Sequence, residues 1–352
     1  MSSHVEAIRV GLIGYGLAGA AFHAPLISTT PGLRLDAIVT ANPERQMAAS
    51  RDHPGARILA SAEPLFARDP QVDLTVIASP NRTHVALAAA AMDAGIATVV
   101  DKPFAATPDE GRKLIAVATE RDVLLTVFHN RRWDGDFLTV RRLIAEGRLG
   151  DVYRLESRFE RWRPEPRRTW REGGAPSEAG GLLYDLGSHL IDQALVLFGP
   201  AMTVYAELDR RRTEVVVDDD SFVALTHASG IRSHLWMSSV AAQAAPRMRV
   251  LGSRAAYVKY GLDVQEAALR GGARPAPGWG EELPEQWGRL GTDDDAAAVV
   301  TEAGDYPEFY RLLERALRHG GPPPILPEDA VRSLEVIDAA QRSAAEGRLI
   351  DM

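Results

Sequence analysis

Val10-Gly11-Leu12-Ile13-Gly14-Tyr15-Gly16-Leu17-Ala18-Gly19 is an apolar run that breaks into a GxGxxG loop near the start of the chain. In dinucleotide-binding proteins such a loop joins a strand to a helix. The first glycine allows a tight turn, the second lets the backbone approach a pyrophosphate, and the third lets the helix pack closely on the sheet. Gly14, Gly16 and Gly19 take those parts. Tyr15, Leu17 and Ala18 lie between them, and the helix N-terminus faces the phosphates. Glycines also mark ordinary turns, so the flanking sequence has to decide. Residues 7–13 have the length and apolar content of a buried parallel strand, residues 18–27 can follow as a helix, and residues 33–39 read as a second strand. About 20 residues beyond the glycines an acidic residue usually bonds the adenosine ribose. Here Thr40 stands in that place, followed by Ala41, Asn42 and Arg45. The carboxylate that would repel a 2′-phosphate is missing and a cation is close, which favours NADP(H), with NAD(H) as the alternative. A plainer reading makes Thr40 and Asn42 a turn and leaves Arg45 solvated on a helix.

At 352 residues the chain exceeds one ordinary hydrophobic core, and 45% hydrophobic with 25% charged residues is a globular composition. Two domains are expected. No apolar segment reaches transmembrane length and no basic region precedes an apolar signal core, so the expectation is a cytoplasmic protein with no membrane partner. The absence of cysteine excludes disulfides, thiolate catalysis, iron–sulfur clusters and cysteine-ligated zinc. A net charge of -8 argues against general nucleic-acid binding, although the arginines between 161 and 171 can hold a local anion.

Strand and helix patterns alternate up to residue 128: strand 73–78, helix 83–94, strand 98–100, helix 108–121 and strand 123–128. This is a βαβ order. After a helix near 136–146, strand patterns at 152–162, 202–212, 221–227, 231–238 and 247–260 predict a large, mostly antiparallel sheet. The expected architecture is therefore an N-terminal Rossmann domain over 1–128 and a C-terminal α+β domain with an open sheet over 129–352. Residues 271–291, rich in Gly, Pro and Trp, read as a surface excursion or lid. Helices near 307–319 and 327–346 close the chain, the last packing back on the first domain.

Asp101-Lys102-Pro103 follows a buried strand, at the carboxyl edge of the parallel sheet where doubly wound proteins bind ligands. A lysine there can hydrogen-bond a substrate hydroxyl and stabilise the alkoxide that develops as hydride leaves; the duller alternative is a surface lysine paired with Asp101. From Leu182 to Leu197 apolar residues recur at helical spacing, so Asp185 and His189 share a face. That suits an acid–base histidine beside a carboxylate. A purely structural pair, and a metal group that adds Asp192, are the competing readings, the second lacking convergent ligands. His23 lies just past the phosphate loop, lining the nicotinamide and substrate pocket or capping domain packing. His129, Asn130 and Arg131 sit at the domain crossover, where a ligand contact and a hinge bond compete. Trp162 and Trp170 can wall a sugar cleft or simply pack. His227 and His234 fall in strand patterns and read as structural.

These residues resemble the glucose-fructose oxidoreductase and inositol dehydrogenase (Gfo/Idh/MocA) family over essentially the whole chain. The matching elements are the GxGxxG loop, Ser79-Pro80-Asn81 with His84, Asp101-Lys102-Pro103, and Asp185 with His189. Phe22-His23-Ala24-Pro25, His129 to Asp134, Tyr184 to His189 and Gly261 to Glu266 look most similar to its NADP-dependent scyllo-inositol dehydrogenase group. The resemblance implies hydride exchange between NADP(H) and a secondary alcohol of a sugar or cyclitol, no metal, and a dimer or tetramer built through the C-terminal sheet. It implies catalytic roles for Lys102, Asp185 and His189. Ser79, Pro80, Asn81 and His84 match the loop beside the nicotinamide, and Trp170-Arg171 match a segment reaching toward cofactor and substrate. Two departures stand out: Asp101 replaces the usual glutamate, and Thr40-Ala41-Asn42 offers one hydroxyl fewer than close NADP-dependent relatives. Superfamily members of other kinds, cofactor-sensing regulators and NAD-dependent glycoside hydrolases, are the alternatives.

Overall fold

The computed structural model describes residues 6–67, 72–166 and 178–352. Its first part alternates β1 (Ile8–Ile13), α1 (Ala24–Thr29), β2 (Leu33–Val39), α2 (Pro43–Asp52), β3 (Arg57–Leu59), β4 (Leu74–Ile77), α3 (His84–Asp93), β5 (Ala97–Asp101), α4 (Pro108–Arg121) and β6 (Leu125–Phe128). The strands form one parallel sheet in the order β3-β2-β1-β4-β5-β6. This is the Rossmann order. The order in which strands are added reverses between β1 and β4, which opens a crevice at their carboxyl ends. Because helices cover both faces, β4 and β6 are buried along their whole length, which is why their sequences run apolar without alternation.

The helix expected over 18–27 is not uniform. A π-helical turn, Ala18–His23, precedes α1, with the Ala24 N–H donating to the Gly19 carbonyl. Pro25 explains the widening: it has no N–H to give the carbonyl of Ala21, and its ring would crowd that carbonyl in a regular α-turn.

The second part continues with α5 (Gly135–Ala145), β7 (Val152–Glu160), α6 (Ser188–Phe198), β8 (Ala201–Asp209), β9 (Asp220–His227), β10 (Arg232–Ser238), β11 (Met248–Gly252), β12 (Ala256–Lys259), α7 (Val264–Arg270), β13 (Gly288–Gly291), β14 (Ala297–Val299), α8 (Pro307–His319), α9 (Pro327–Glu346) and β15 (Ile350–Asp351). The nine strands lie in the order β14-β13-β12-β11-β7-β10-β9-β8-β15, antiparallel throughout except where β7 pairs with β10. The single strand expected over 247–260 is a hairpin instead. Gly252 donates its N–H to the Ala255 carbonyl, and a Cβ at Gly252 would lie 2.1 Å from the Leu149 carbonyl oxygen. The excursion ends inside the sheet as β13.

Alternation gives this sheet two unlike faces. Leu155, Phe159, Val223, Leu225, Leu235 and Met237 are buried in the core, whereas Arg158, Phe222, His234 and Trp236 remain partly exposed on the other side. Helix α9 joins the two parts, packing on α4, α6 and β8. The approach to α4 is close: a Cβ on Gly111 would sit 2.9 Å from Val331.

Candidate coenzyme and active site

The phosphate loop is tight where it meets the sheet and open where a ligand would approach. Gly14, at φ +102°, turns the chain beside β4, and a Cβ there would lie 2.4 Å from the Ala78 carbonyl oxygen. A Cβ on Gly19 would lie 1.9 Å from the Gly14 oxygen. At Gly16 the nearest atom is Arg45 Nη1, 3.8 Å away, so the second glycine leaves a cradle bordered by a guanidinium. This arrangement fits an anionic dinucleotide. The Tyr15 side chain turns aside, its hydroxyl donating to Asp52 at 3.3 Å and its ring edge against His53, so Tyr15 offers only its backbone. Leu17 is exposed and Ala18 opens the π-turn. Thr40 is buried and tied to β3 by its N–H. Asn42 caps α2, its side-chain oxygen accepting from the Arg45 N–H at 2.9 Å. The turn reading of Asn42 is therefore realised, and the cap sets the helix that carries Arg45 to the loop.

Lys102 emerges from the end of β5 at the carboxyl edge of the sheet. Its Nζ donates to the Asp185 carbonyl at 2.5 Å and to Asp185 Oδ1 at 3.0 Å. Asp185 belongs to a second π-helical turn, Leu183–Gly187, that runs into α6. That turn is fixed from outside by Asp218, whose carbonyl accepts the Leu182 N–H and whose carboxylate accepts the Leu183 N–H at 2.8 Å. Gly181 makes this possible, since a Cβ on it would meet Asp218 at 1.9 Å. Asn81, Lys102, Pro103, Ala179, Gly180, Gly181 and Asp185 line a narrow cleft. A roomier cavity beside Trp279 and Arg311 shares none of these residues.

His189 stands in the first turn of α6, buried, with Nδ1 lacking any hydrogen-bond partner. Its ring meets those of His129 and Phe159 edge-on at 6.3 and 6.4 Å. Burial first, then the charges of Lys102 and Arg131, hold the imidazole well below its usual 6.5. It is neutral near pH 7 and able to take a proton. The sign for stability follows. Between the folded and unfolded values the unfolded chain binds a proton that the folded chain refuses, so this site weakens folding as pH falls below 6.5. If His189 is the base for alcohol oxidation, kcat/KM is expected to stay level as pH is lowered through 6.5, with the acid limb displaced to lower pH. A pH–rate profile with its acid limb at or above that value would contradict this.

Residues 8–129 match the oxidoreductase family with an NAD-binding Rossmann fold, and residues 137–258 match the GFO/IDH/MocA C-terminal domain. The chain belongs to the Gfo/Idh/MocA oxidoreductase family. The oxidoreductase YdgJ of Escherichia coli, whose reaction is uncharacterised, is 42% identical over 96% of each chain. The scyllo-inositol 2-dehydrogenase (NADP(+)) IolW of Bacillus subtilis is 36% identical over 98% of this chain and 96% of its own. Among solved structures, yvaA of Bacillus subtilis superposes with a TM-score of 0.92 at 35% identity over 99% of both chains.

Other residues singled out in this Gfo/Idh/MocA sequence go to different places. Asn81 donates to the Ala179 carbonyl at 3.3 Å, tying the first part of the cleft to the second. Ser79 Oγ bonds Thr83, and the Pro80 carbonyl accepts from Thr83. His84 is buried with both ring nitrogens on carbonyl oxygens, those of Ser79 and Pro103, each at 2.9 Å, so it clamps the loop after β4 to the one after β5. Arg131 reaches Asp134 and Glu266 and stacks 4.6 Å from the Phe159 centroid, with its Nε left without a hydrogen-bond partner. Asn130 is buried beside it. Asp192 pairs with Arg132 at 2.7 Å, apart from Asp185. Trp162 is exposed and bridges Val240. His227 bonds the Gly199 carbonyl and Ser233 and is structural. Trp170 and Arg171 lie outside the described residues. Among the described residues no helix is long and apolar enough to cross a membrane.

Sequence reading missed Asp218, Phe159 and Arg247. Arg247 donates to Ser157 at 2.5 Å and to Gln193 at 3.1 Å, and it lies 4.2 Å from the Phe159 centroid. It thereby holds α6 to the sheet one turn beyond His189. Only the run Asp218-Asp219-Asp220 offered a visible signal.

Proposed function

We propose that this oxidoreductase uses NADP(H) to interconvert a secondary alcohol of a cyclitol or sugar and its ketone, with scyllo-inositol as the first substrate to try. The observation that carries the proposal is the Lys102 ammonium, held on Asp185 at the sheet edge beside a neutral His189. The name printed for IolW supports the choice of coenzyme and substrate. When bound, the nicotinamide supplies the hydride acceptor. Lys102 donates to the reacting hydroxyl and stabilises its oxygen as negative charge develops there. His189 accepts the hydroxyl proton, and Asp185 holds the Lys102 Nζ in place. Residues 1–128 form the coenzyme unit and 129–352 the substrate unit. The open sheet face, where Arg158 stacks 3.9 Å over Trp236 beside Phe222, serves a cytoplasmic homodimer or homotetramer.

The test is reduced-nicotinamide absorbance with NADP and NAD offered separately against scyllo-inositol, myo-inositol and a panel of aldoses. NADP reduction by scyllo-inositol supports the proposal, and silence across the panel with coenzyme bound overturns it. For the 2′-phosphate, Arg45→Ala is expected to weaken NADP binding about 10- to 100-fold, the worth of one charge-assisted hydrogen bond, while NAD binding holds. Equal losses for both coenzymes in a fluorescence titration would remove Arg45 from that role.

A further inference from the structure

His23 has no solvent exposure, and its ring packs 4.3 Å from that of Phe128. It therefore does not line the cleft. Its Nδ1 lies 2.6 Å from the Tyr310 hydroxyl of α8, and its Nε2 faces Asp101 Oδ2 at 3.8 Å with no hydrogen-bond partner. On the far side of that carboxylate, Asp101 Oδ1 accepts the backbone N–H of Lys102 at 2.8 Å. The tautomer follows from electrostatics. A lone pair on Nε2 would be set against a carboxylate oxygen, so the proton belongs on Nε2, and Nδ1 accepts the Tyr310 hydroxyl proton.

We propose that Tyr310 and His23 are positioning residues that act through the Asp101 carboxylate to fix the backbone at Lys102. The line runs from α8, through the π-turn that Pro25 imposes, to the sheet edge, and it joins two elements that are far apart in sequence. Asp101 is suited to the middle place. Burial alone would raise its carboxyl, yet His23, Lys102 and His84 hold it below the usual carboxylate range, so the anion that must accept from Lys102 is the stable form. Without His23 the carboxylate can swing toward Lys102 Nζ and compete with Asp185 for the ammonium. This inference rests on the reading of Lys102 as the group that meets substrate.

The chain contains only three lysines, Lys102, Lys113 and Lys259, so protein labelled with [15N]lysine gives one backbone amide signal for each. In Tyr310→Phe, which keeps the ring and removes only the hydroxyl, the Lys102 amide signal is expected to move while Lys113 and Lys259 stay in place, a check that the fold persists. With an alcohol substrate, kcat is expected to fall about 3- to 10-fold, the worth of one hydrogen bond, with coenzyme KM unchanged. Tyr310→Phe combined with His23→Ala should be no slower than His23→Ala alone. An unmoved Lys102 amide, or losses that multiply in the double variant, overturns the proposal. Because the amide signal needs no substrate, a shifted signal without oxidation of any alcohol would refute the dehydrogenase reading and leave the line from Tyr310 to Asp101 supported.

Discussion

Lys102→Met is expected to lower kcat for alcohol oxidation by about 10²- to 10³-fold, the cost of removing one donor aimed at developing oxyanion charge. Methionine matches the length of the lysine stem, so the effect isolates the ammonium. In the wild type that ammonium is shared between the Asp185 carbonyl and carboxylate. A substrate hydroxyl entering the cleft meets a donor whose direction is already set, and little reorganisation remains as the proton leaves. The variant should fold, because the Lys102 side chain is 15% exposed and that of Asp185 29%, enough for water to replace the lost donor. Coenzyme affinity should hold within about twofold, since the phosphates would be held by the glycine loop after β1, two strands away from Lys102 along the carboxyl edge of the sheet. Steady-state kinetics with a coenzyme titration decide the matter. Near-normal turnover would remove Lys102 from the chemistry, and a parallel loss of coenzyme binding would assign it to the nicotinamide site instead.

The second large effect is expected at Gly19. Alanine there brings a Cβ to 1.9 Å from the Gly14 carbonyl oxygen, a contact between two backbone segments neither of which has a side chain to move aside. The loop must open or the π-turn must shift, at a cost of about 3 kcal/mol or more. Dinucleotide binding should be lost and the melting temperature should drop. Gly16→Ala is the informative contrast. Its Cβ has only Arg45 Nη1 at 3.8 Å, so the protein should melt normally while the methyl stands where a pyrophosphate would lie against the backbone. Thermal melts with and without NADP separate the two. If Gly16→Ala is stabilised by NADP as strongly as wild type, the cradle has been placed at the wrong glycine.

The sequence expectations succeeded where the signal is local. Strand 33–39 and helix 108–121 have the expected bounds in the structure, the first because Leu33, Leu35 and Ala37 alternate with Arg34 and Asp36 before an apolar end, and the second because Thr107 and Glu110 form a capping box around Pro108. They failed where an element exists only because a neighbour completes it. The three residues of β3 and the two of β15 pair at sheet edges with β2 and β8, and nothing in those short stretches announces a strand. The π-turns were hidden for a related reason. Periodicity over 18–27 and 182–197 reads as ordinary helix, and only the carbonyl left without a donor by Pro25, or the carboxylate of Asp218 at the head of the turn, widens the first coil.

The site divides along the same line. By itself the sequence determined that a Rossmann sheet opens at Gly14 and that its carboxyl edge presents Lys102, because strand period and glycine requirement are properties of residues within a few positions of one another. It did not determine which charges find each other. The Lys102–Asp185 bond spans 83 residues, the Arg131–Glu266 pair 135, and the Tyr310–His23 bond 287. At those separations the partner is chosen by which side chains the packing of α6, α7 and α8 brings within about 3 Å in buried or half-buried surroundings, where a polar atom withdrawn from solvent must be met or pay its desolvation. That choice, made only in the tertiary structure, paired Arg131 with Asp134 and Glu266, drew Asp192 to Arg132 and set His23 behind Asp101.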